Sequence, residues 1–187
     1  MILTKSKIKF IKSLKIKKNR LIHKCFIVEG EKSVLELLSS DFDVIELYAT
    51  NLWNPDVKLN KINRITEKQL RNISLMKSPN KVLAIARIPN DIVEARFKNI
   101  GITLVLDKIR DPGNLGTIIR LCDWFGVRQI ICSLDTVDMF NPKVIQATMG
   151  SAFRVKILYK NLAKYLSTIN EPIYGACIKG TDLKESS

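Results

Sequence analysis

The chain has 187 residues, 46% apolar and 26% charged, which is enough for a packed core in one large domain or two small ones. Its 31 Lys and Arg against 18 Asp and Glu give a formal net charge of +13, a balance that favours polyanionic partners, nucleic acid above all. No apolar run approaches the roughly 18–20 residues of a membrane span, and the basic start "MILTKSKIKF" lacks the apolar stretch of a secretory signal.

Residues 1–24 hold nine Lys or Arg and no acidic residue. Over residues 5–22, Ile8, Ile11 and Leu14 recur three apart among lysines, which predicts a helix with a narrow apolar stripe and a basic face. A solubilising helix normally intersperses acids among its lysines. Their absence favours contact with RNA or DNA over a merely solvated face, with Lys15, Lys17, Lys18 and Arg20 as the phosphate-binding residues. "CFIVEG" then reads as a buried strand ended by Gly30, and "EKSVLELLSS" as a helix with Val34, Leu37 and Leu38 inward. "VIELYAT" is a strand, and Trp53, beside Asn51 and Asn54, either packs against the sheet or stacks on a base, packing being favoured. "RITEKQLRNISLM" holds a strand end and a helix with Thr66 as N-cap and Gln69 at the capping-box position. "KVLAIARIP" is a further strand, stopped by Pro89.

The polar connector "NDIVEARFKNIG" places a domain boundary near residues 88–99, dividing a domain over 1–90 from one over 99–187. The second part reads as strand 102–106, turn 110–114, helix 115–125, strand "QIICSL" and helix "PKVIQATMG". A strand "FRVKILY", a helix around "LAKYLSTI" and a strand "PIYGACI" follow. Strands alternating with helices predict an α/β fold with a parallel sheet and right-handed crossovers. The four cysteines, Cys25, Cys122, Cys132 and Cys177, form no CxxC pair and have only His23 for company. A zinc site takes about four grouped ligands, so no metal is expected, and reduced thiols of a cytoplasmic protein are.

The stretch with most chemistry is "LVLDKIRDPGNLGTIIRLCDWFGV", residues 104–127. Pro112 and Gly113 force a turn, and Asn114 is positioned to cap the helix that follows. Gly116, without a Cβ, admits a ligand or a neighbouring backbone. Arg120 lies about one turn further along the same face, while Ile118, Leu121, Cys122 and Phe125 are expected to point into the core. The turn therefore offers a helix N-terminus, an amide and a guanidinium at the carboxyl edge of a parallel sheet, where such folds bind ligands. The same spacing equally describes an ordinary capped helix with Arg120 in solvent. A Rossmann site fits poorly, because "GNLGT" is not GxGxxG, and no P-loop lysine follows.

This stretch resembles the first signature of the SpoU/TrmH family of RNA ribose 2'-O-methyltransferases, in which Asn-x-Gly-x-x-x-Arg falls on Asn114, Gly116 and Arg120. "FNPKVIQATMGSAFRVKI" is similar to the family's next segment, a helix leading into Gly-Ser and a strand. The front, "KFIKSLKIKKNRLIHKCFIVEGEKSVLELL", resembles the family's substrate-binding domain of ribosomal-protein-L30e-like fold, with matching elements at Arg20, Phe26 and Val28-Glu29-Gly30. The resemblance implies a small L30e-like α/β domain followed by a parallel-sheet SPOUT-type α/β domain. It also implies homodimers and methyl transfer from S-adenosylmethionine to a ribose 2'-hydroxyl of ribosomal or transfer RNA. Arg120 and Asn114 would be the catalytic residues and Glu29 would join the RNA-binding set. Arg120 either activates the hydroxyl or clamps the neighbouring phosphate and stabilises a developing alkoxide. Because a guanidinium normally stays protonated, the base role is the weaker of the two.

The sequence departs from the family pattern at its end. The later segments that tie the trefoil knot, a Gly-x-Glu-x-x-Gly loop and a Ser-Leu-Asn-Val stretch, do not occur before or within "GACIKGTDLKESS". Of the usual cofactor-lining positions only a strand end at Gly175, Ala176 and Cys177 is expected, so this chain alone is expected to lack a complete cofactor pocket and to be inactive. The alternative is an RNA-binding protein without catalysis, and a third, weaker reading is a nucleotide-binding domain gripping phosphate at the 110–116 turn.

Overall fold

The structure, a computed structural model, describes residues 3–55, 62–89 and 101–180. Two helices open it, α1 (Lys5–Ser13) and α2 (Lys17–His23). The Thr4 hydroxyl caps α1 by accepting from the Lys7 N–H, and Ile11 and Leu14 are buried as their spacing predicts. The single helix expected over 5–22 is broken at residues 14–16, and the reason lies in side chains that satisfy the freed carbonyls. The Arg20 guanidinium donates to the carbonyls of Leu14 and Lys15, both at 2.9 Å, and the Asn19 amide donates to that of Ser13 at 3.0 Å.

The front sheet comprises β1 (Cys25–Glu29), β2 (Val44–Ala49), β3 (Asn63–Arg64) and β4 (Val82–Arg87), with α3 (Glu31–Leu38) and α4 (Glu67–Ile73) between. Spatial order is β1-β4-β2-β3, with β4 antiparallel to β1 and β2, and β2 parallel to β3. β4 takes the centre because Val82 to Ala86 form an unbroken buried run, as a strand covered on both faces requires. The capping box at Thr66 and Gln69 forms in both directions. Trp53 is 1% exposed and packs in the core, which leaves it no face for a base.

The second sheet, β5 (Thr103–Leu106), β6 (Gln129–Ser133) and β7 (Lys156–Lys160), is parallel throughout in the order β5-β6-β7. Helix α5 (Pro112–Trp124) connects β5 to β6, α6 (Pro142–Thr148) connects β6 to β7, and α7 (Leu162–Leu166) follows β7. The strand expected at "PIYGACI" does not form: residues 172–177 have no regular structure and are exposed. The expected boundary near 88–99 falls largely on residues 90–100, outside the described residues.

The two sheets are not independent layers. One hydrophobic cluster runs from Phe26 and Leu37 of the front half to Phe140, Val144 and Ala152 of the second. Phe26 lies 4.7 Å from Phe140, and Phe42 meets Phe153 edge-on at 5.4 Å. Ion pairs brace the same junction, Arg20 to Asp138 at 2.6 Å and Arg154, held by Asp123 of its own half, to Glu36.

Candidate RNA-facing site

Helix α5 starts three residues earlier than its apolar periodicity suggests. Asp111, not Asn114, is the N-cap: its Oδ1 accepts from the Asn114 N–H at 2.8 Å, and Pro112 takes the first helical position. The buried face is Leu115, Gly116, Ile119 and Cys122, whereas Leu121 and Phe125, expected in the core, are exposed. Gly116 serves a neighbouring backbone and not a ligand. A Cβ there would stand 2.4 Å from the Ala147 Cβ and 3.2 Å from the Val144 carbonyl oxygen, so its absence lets α5 close on α6.

The start of α5 is fixed by the loops at the carboxyl edge of the second sheet. The Ser133 hydroxyl accepts from the Lys108 N–H at 2.8 Å, and the Val137 N–H donates to the Ile109 carbonyl at 2.8 Å. The Tyr159 hydroxyl joins them, donating to the Val137 carbonyl at 2.7 Å and accepting from the Met139 N–H at 2.8 Å. Burial and nearby acidic groups push the Tyr159 phenol well above its ordinary range, so it stays a donor.

On this rigid start Asn114 and Arg120 are both exposed, and the Arg120 guanidinium has no hydrogen bond or ion pair among the described residues. Six residues of helix separate them by about 9 Å along the axis and about 120° around it. They therefore do not converge on one point within the chain. Arg120 stands one turn beyond Gly116, at the seam of α5 and α6, and Trp124, 85% exposed, follows it by another turn.

The basic front divides. Lys15, Lys17 and Lys18 are exposed and form no ion pair among the described residues, as phosphate-binding side chains must. Arg20 does not belong with them: it is 2% exposed, and its Nε and Nη2 both donate to Asp138 across the junction. Its fork is filled, so it is a structural clamp and offers nothing to RNA. Glu29 is engaged only in part: one oxygen accepts from the Ser74 hydroxyl and the other, at 2.9 Å, from the Leu75 N–H, which leaves lone pairs on both. Burial pushes its carboxyl up, and those two hydrogen bonds oppose the shift.

Lys15 and Glu29 nonetheless border a feature that no motif announced. A cleft of about 300 Å³ opens between the halves, lined by Lys15, Glu29 and Met76 on one side and by Pro112, Asn141 and Lys143 on the other. Pro112 brings the first turn of α5 to its edge.

Two family models match the chain. Residues 101–187 match the model of the SpoU rRNA Methylase family, and residues 5–84 that of the MRM3-like substrate binding domain. A structure of a TrmH-family protein from Porphyromonas gingivalis superposes with a TM-score of 0.78 and 32% identity, covering 89% of this chain and 68% of that one. The chain belongs to the SpoU/TrmH family. The AdoMet-bound rRNA methyltransferase of Sinorhizobium meliloti is similar, with a TM-score of 0.75 and 30% identity over 89% of this chain and 66% of that one. The Bacillus subtilis 23S rRNA (guanosine(2553)-2'-O)-methyltransferase RlmP is 28% identical over 184 residues, which cover 97% of this chain and 72% of RlmP. The mitochondrial rRNA methyltransferase 3 of Xenopus laevis is 29% identical over 162 residues, and the chain spans 38% of it.

Within this SpoU/TrmH chain the expected cofactor positions do not make a site. Gly175, Ala176 and Cys177 are exposed, nothing lies within 4 Å of where a Gly175 Cβ would be, and the Cys177 thiol donates to the Lys179 carbonyl two residues on. Among the described residues they do not enclose a nucleoside. No His, Cys, Asp and Glu cluster suited to a metal ion occurs among the described residues, and no described helix is long and apolar enough to cross a membrane. Sequence reasoning missed Asp138 because it lies 118 residues from Arg20, with no local signal tying them.

Proposed function

We propose that the protein is an RNA methyltransferase that modifies a ribose 2'-hydroxyl of ribosomal RNA, with S-adenosylmethionine as the methyl donor. The observation that carries this reading is the free Arg120 guanidinium on a helix whose start is locked to the carboxyl edge of a parallel sheet. The donor, when bound, supplies an electrophilic methyl group. The residues of this chain bind and orient the other reactant. Lys15, Lys17 and Lys18 hold phosphates of the RNA by charge, as exposed ammonium groups without carboxylate partners do. Arg120 presents a planar fork that fits a phosphate bidentately and stabilises negative charge developing on the ribose oxygen. Asn114, exposed in the first turn of α5, offers an amide to the same strand.

Because Asn114 and Arg120 diverge on one helix, a single chain does not surround a ribose. Family-wide pairing of two chains supplies a second wall in this reading. The exposed Leu121, Trp124 and Phe125 beside Arg120 support it, being an apolar stripe on the helix that carries the site. Arg120→Lys keeps the charge and loses the fork. We expect single-turnover methylation of ribosomal RNA to fall about a hundredfold, the scale of removing one transition-state donor. Undiminished turnover would show that neither role is right.

One observation favours a second reading, an RNA-binding chain without catalysis: the exposed, irregular Gly175–Cys177 segment. On it, calorimetric titration of the 187-residue chain with S-adenosylmethionine shows no saturable heat. Stoichiometric binding would rule the second reading out.

A further inference from the structure

We propose that the cleft between the two halves receives one unpaired RNA nucleotide, base inward, next to the nucleotide whose ribose is modified. The proposal rests on the RNA-methyltransferase reading and adds a substrate requirement to it: the strand near the target must be single-stranded. The cleft's volume of about 300 Å³ sits at the lower end of small-ligand sites, which run from ~300 to ~1,000 Å³, and so suits a single nucleotide.

Its lining is sorted by chemistry. Ile27 and Ile145, 1% and 2% exposed, form an apolar floor, with Met76 and Pro112 at the sides. Lys15 and Lys143 stand at the exposed rim, and neither has an ion pair among the described residues. Glu29 is in the wall, with one hydrogen bond to each carboxylate oxygen from the 74–75 backbone and hydroxyl. A carboxylate holds four lone-pair sites, so Glu29 retains acceptor capacity for an N–H group of a base. The same negative wall repels a phosphate from the interior, while the rim lysines attract it. An apolar floor takes the base face by removing it from water, an effect that does not depend on which base it is.

Position supports the assignment as well as chemistry. Lys15 continues the exposed basic run of Lys17 and Lys18, and Pro112 is the first residue of α5, two before Asn114. A strand laid on the front lysines thus crosses the cleft before it reaches α5. The Asn141 Oδ1 is occupied in capping α6 by accepting from the Lys143 N–H at 3.0 Å, which leaves the side-chain amide's two N–H donors to a base carbonyl.

The test is fluorescence anisotropy of the full chain with a short labelled oligouridylate and with an equally long ribose–phosphate oligomer lacking bases. The base-free oligomer is expected to bind about tenfold more weakly, the scale of burying a few tens of Å² of base surface on the apolar floor. Met76→Glu, which puts a charge on the cleft wall, is expected to abolish that difference. Pro112→Glu, at a cleft-side position in the first turn of α5 where an acidic residue is tolerated, is expected to do the same if the first variant folds poorly. Equal affinity for the two oligomers overturns the cleft assignment and leaves RNA binding intact, as does a base preference that survives both variants. Failure to bind either oligomer at low salt overturns the RNA reading itself, and this proposal with it.

Discussion

In the basic front segment the exposed cations are lysines, and the one arginine among them is sealed inside; in helix α5 the arginine stands in solvent, and apolar residues stand there beside it. Lys15, Lys17 and Lys18 surround a buried Arg20, whereas Arg120 is flanked by exposed Leu121 and Trp124. Burial sorts these side chains by partner. A guanidinium survives burial only when its donors are filled, and Arg20 has two carbonyls and a carboxylate to fill them. Arg120 has no such partners, and it is the member of the pair left available for a ligand.

The strongest way to break that contrast is to remove Arg20. Arg20→Ala leaves Asp138 unpaired at the junction and frees the carbonyls between α1 and α2. Losing one partner of a buried pair costs about 3–5 kcal/mol, and a melting temperature roughly 10 °C lower is expected by calorimetry. Lys17→Ala is the counterpart. It should leave melting unchanged and lower the salt dependence of single-stranded RNA binding by about 0.7 in log–log slope. A cool-melting Lys17 variant, or an Arg20 variant whose only defect is RNA affinity, would reverse the assignment of the two residues.

Gly116→Ala tests α5 from its buried side. The added Cβ would collide with that of Ala147 at 2.4 Å, and both atoms are anchored close to helix backbone. Overpacking of this kind costs about 1–3 kcal/mol, so the urea midpoint should fall with an unchanged slope. Gly175→Ala meets nothing within 4 Å and should leave the midpoint where it is. Equal effects at the two positions would mean that the Gly116 contact does not hold α5 to α6.

What the sequence disclosed and what it hid follow the same division between near and far partners. The Thr66–Gln69 capping box, the inward Val34 and Leu37 of α3 and the alternation of strands and helices depend on neighbours a few residues away, and all form as read. The start of α5 is misleading in the sequence: Asn114 reads as the N-cap, but Pro112, which favours the first helical position, leaves the cap to Asp111. Leu121 and Phe125 look like core residues because periodicity reports apolar character and not what covers it. The role of Arg20 and the cleft were hidden, because each is made by residues far apart in the chain that only the packing of two halves brings together. The expected strand at Gly175–Cys177 failed for a related reason: a strand needs a neighbour to pair with, and none of the described strands pairs there.

The smallest effect expected is at the second junction clamp, Arg154. Its Nη2 donates to Asp123 Oδ2 at 2.7 Å, its Nε reaches both Asp123 oxygens, and its Nη1 pairs with Glu36 of α3. The hydrogen bond from Arg154 is the chief cause holding the Asp123 carboxyl below its usual range, against the opposing effect of burial. A carboxylate depressed in the folded state adds stability that is fully present above its unfolded pKa of about 3.9. That stability is lost as pH falls through the lower folded value. Arg154 is 40% exposed, so solvent screening keeps the contribution under about 1 kcal/mol. Arg154→Ala should therefore be slightly less stable than the unaltered protein in urea at neutral pH, and the gap should narrow as the pH falls below about 4. A gap of the same size at both pH values would mean that Arg154 joins the halves by packing its stem and not by its charge.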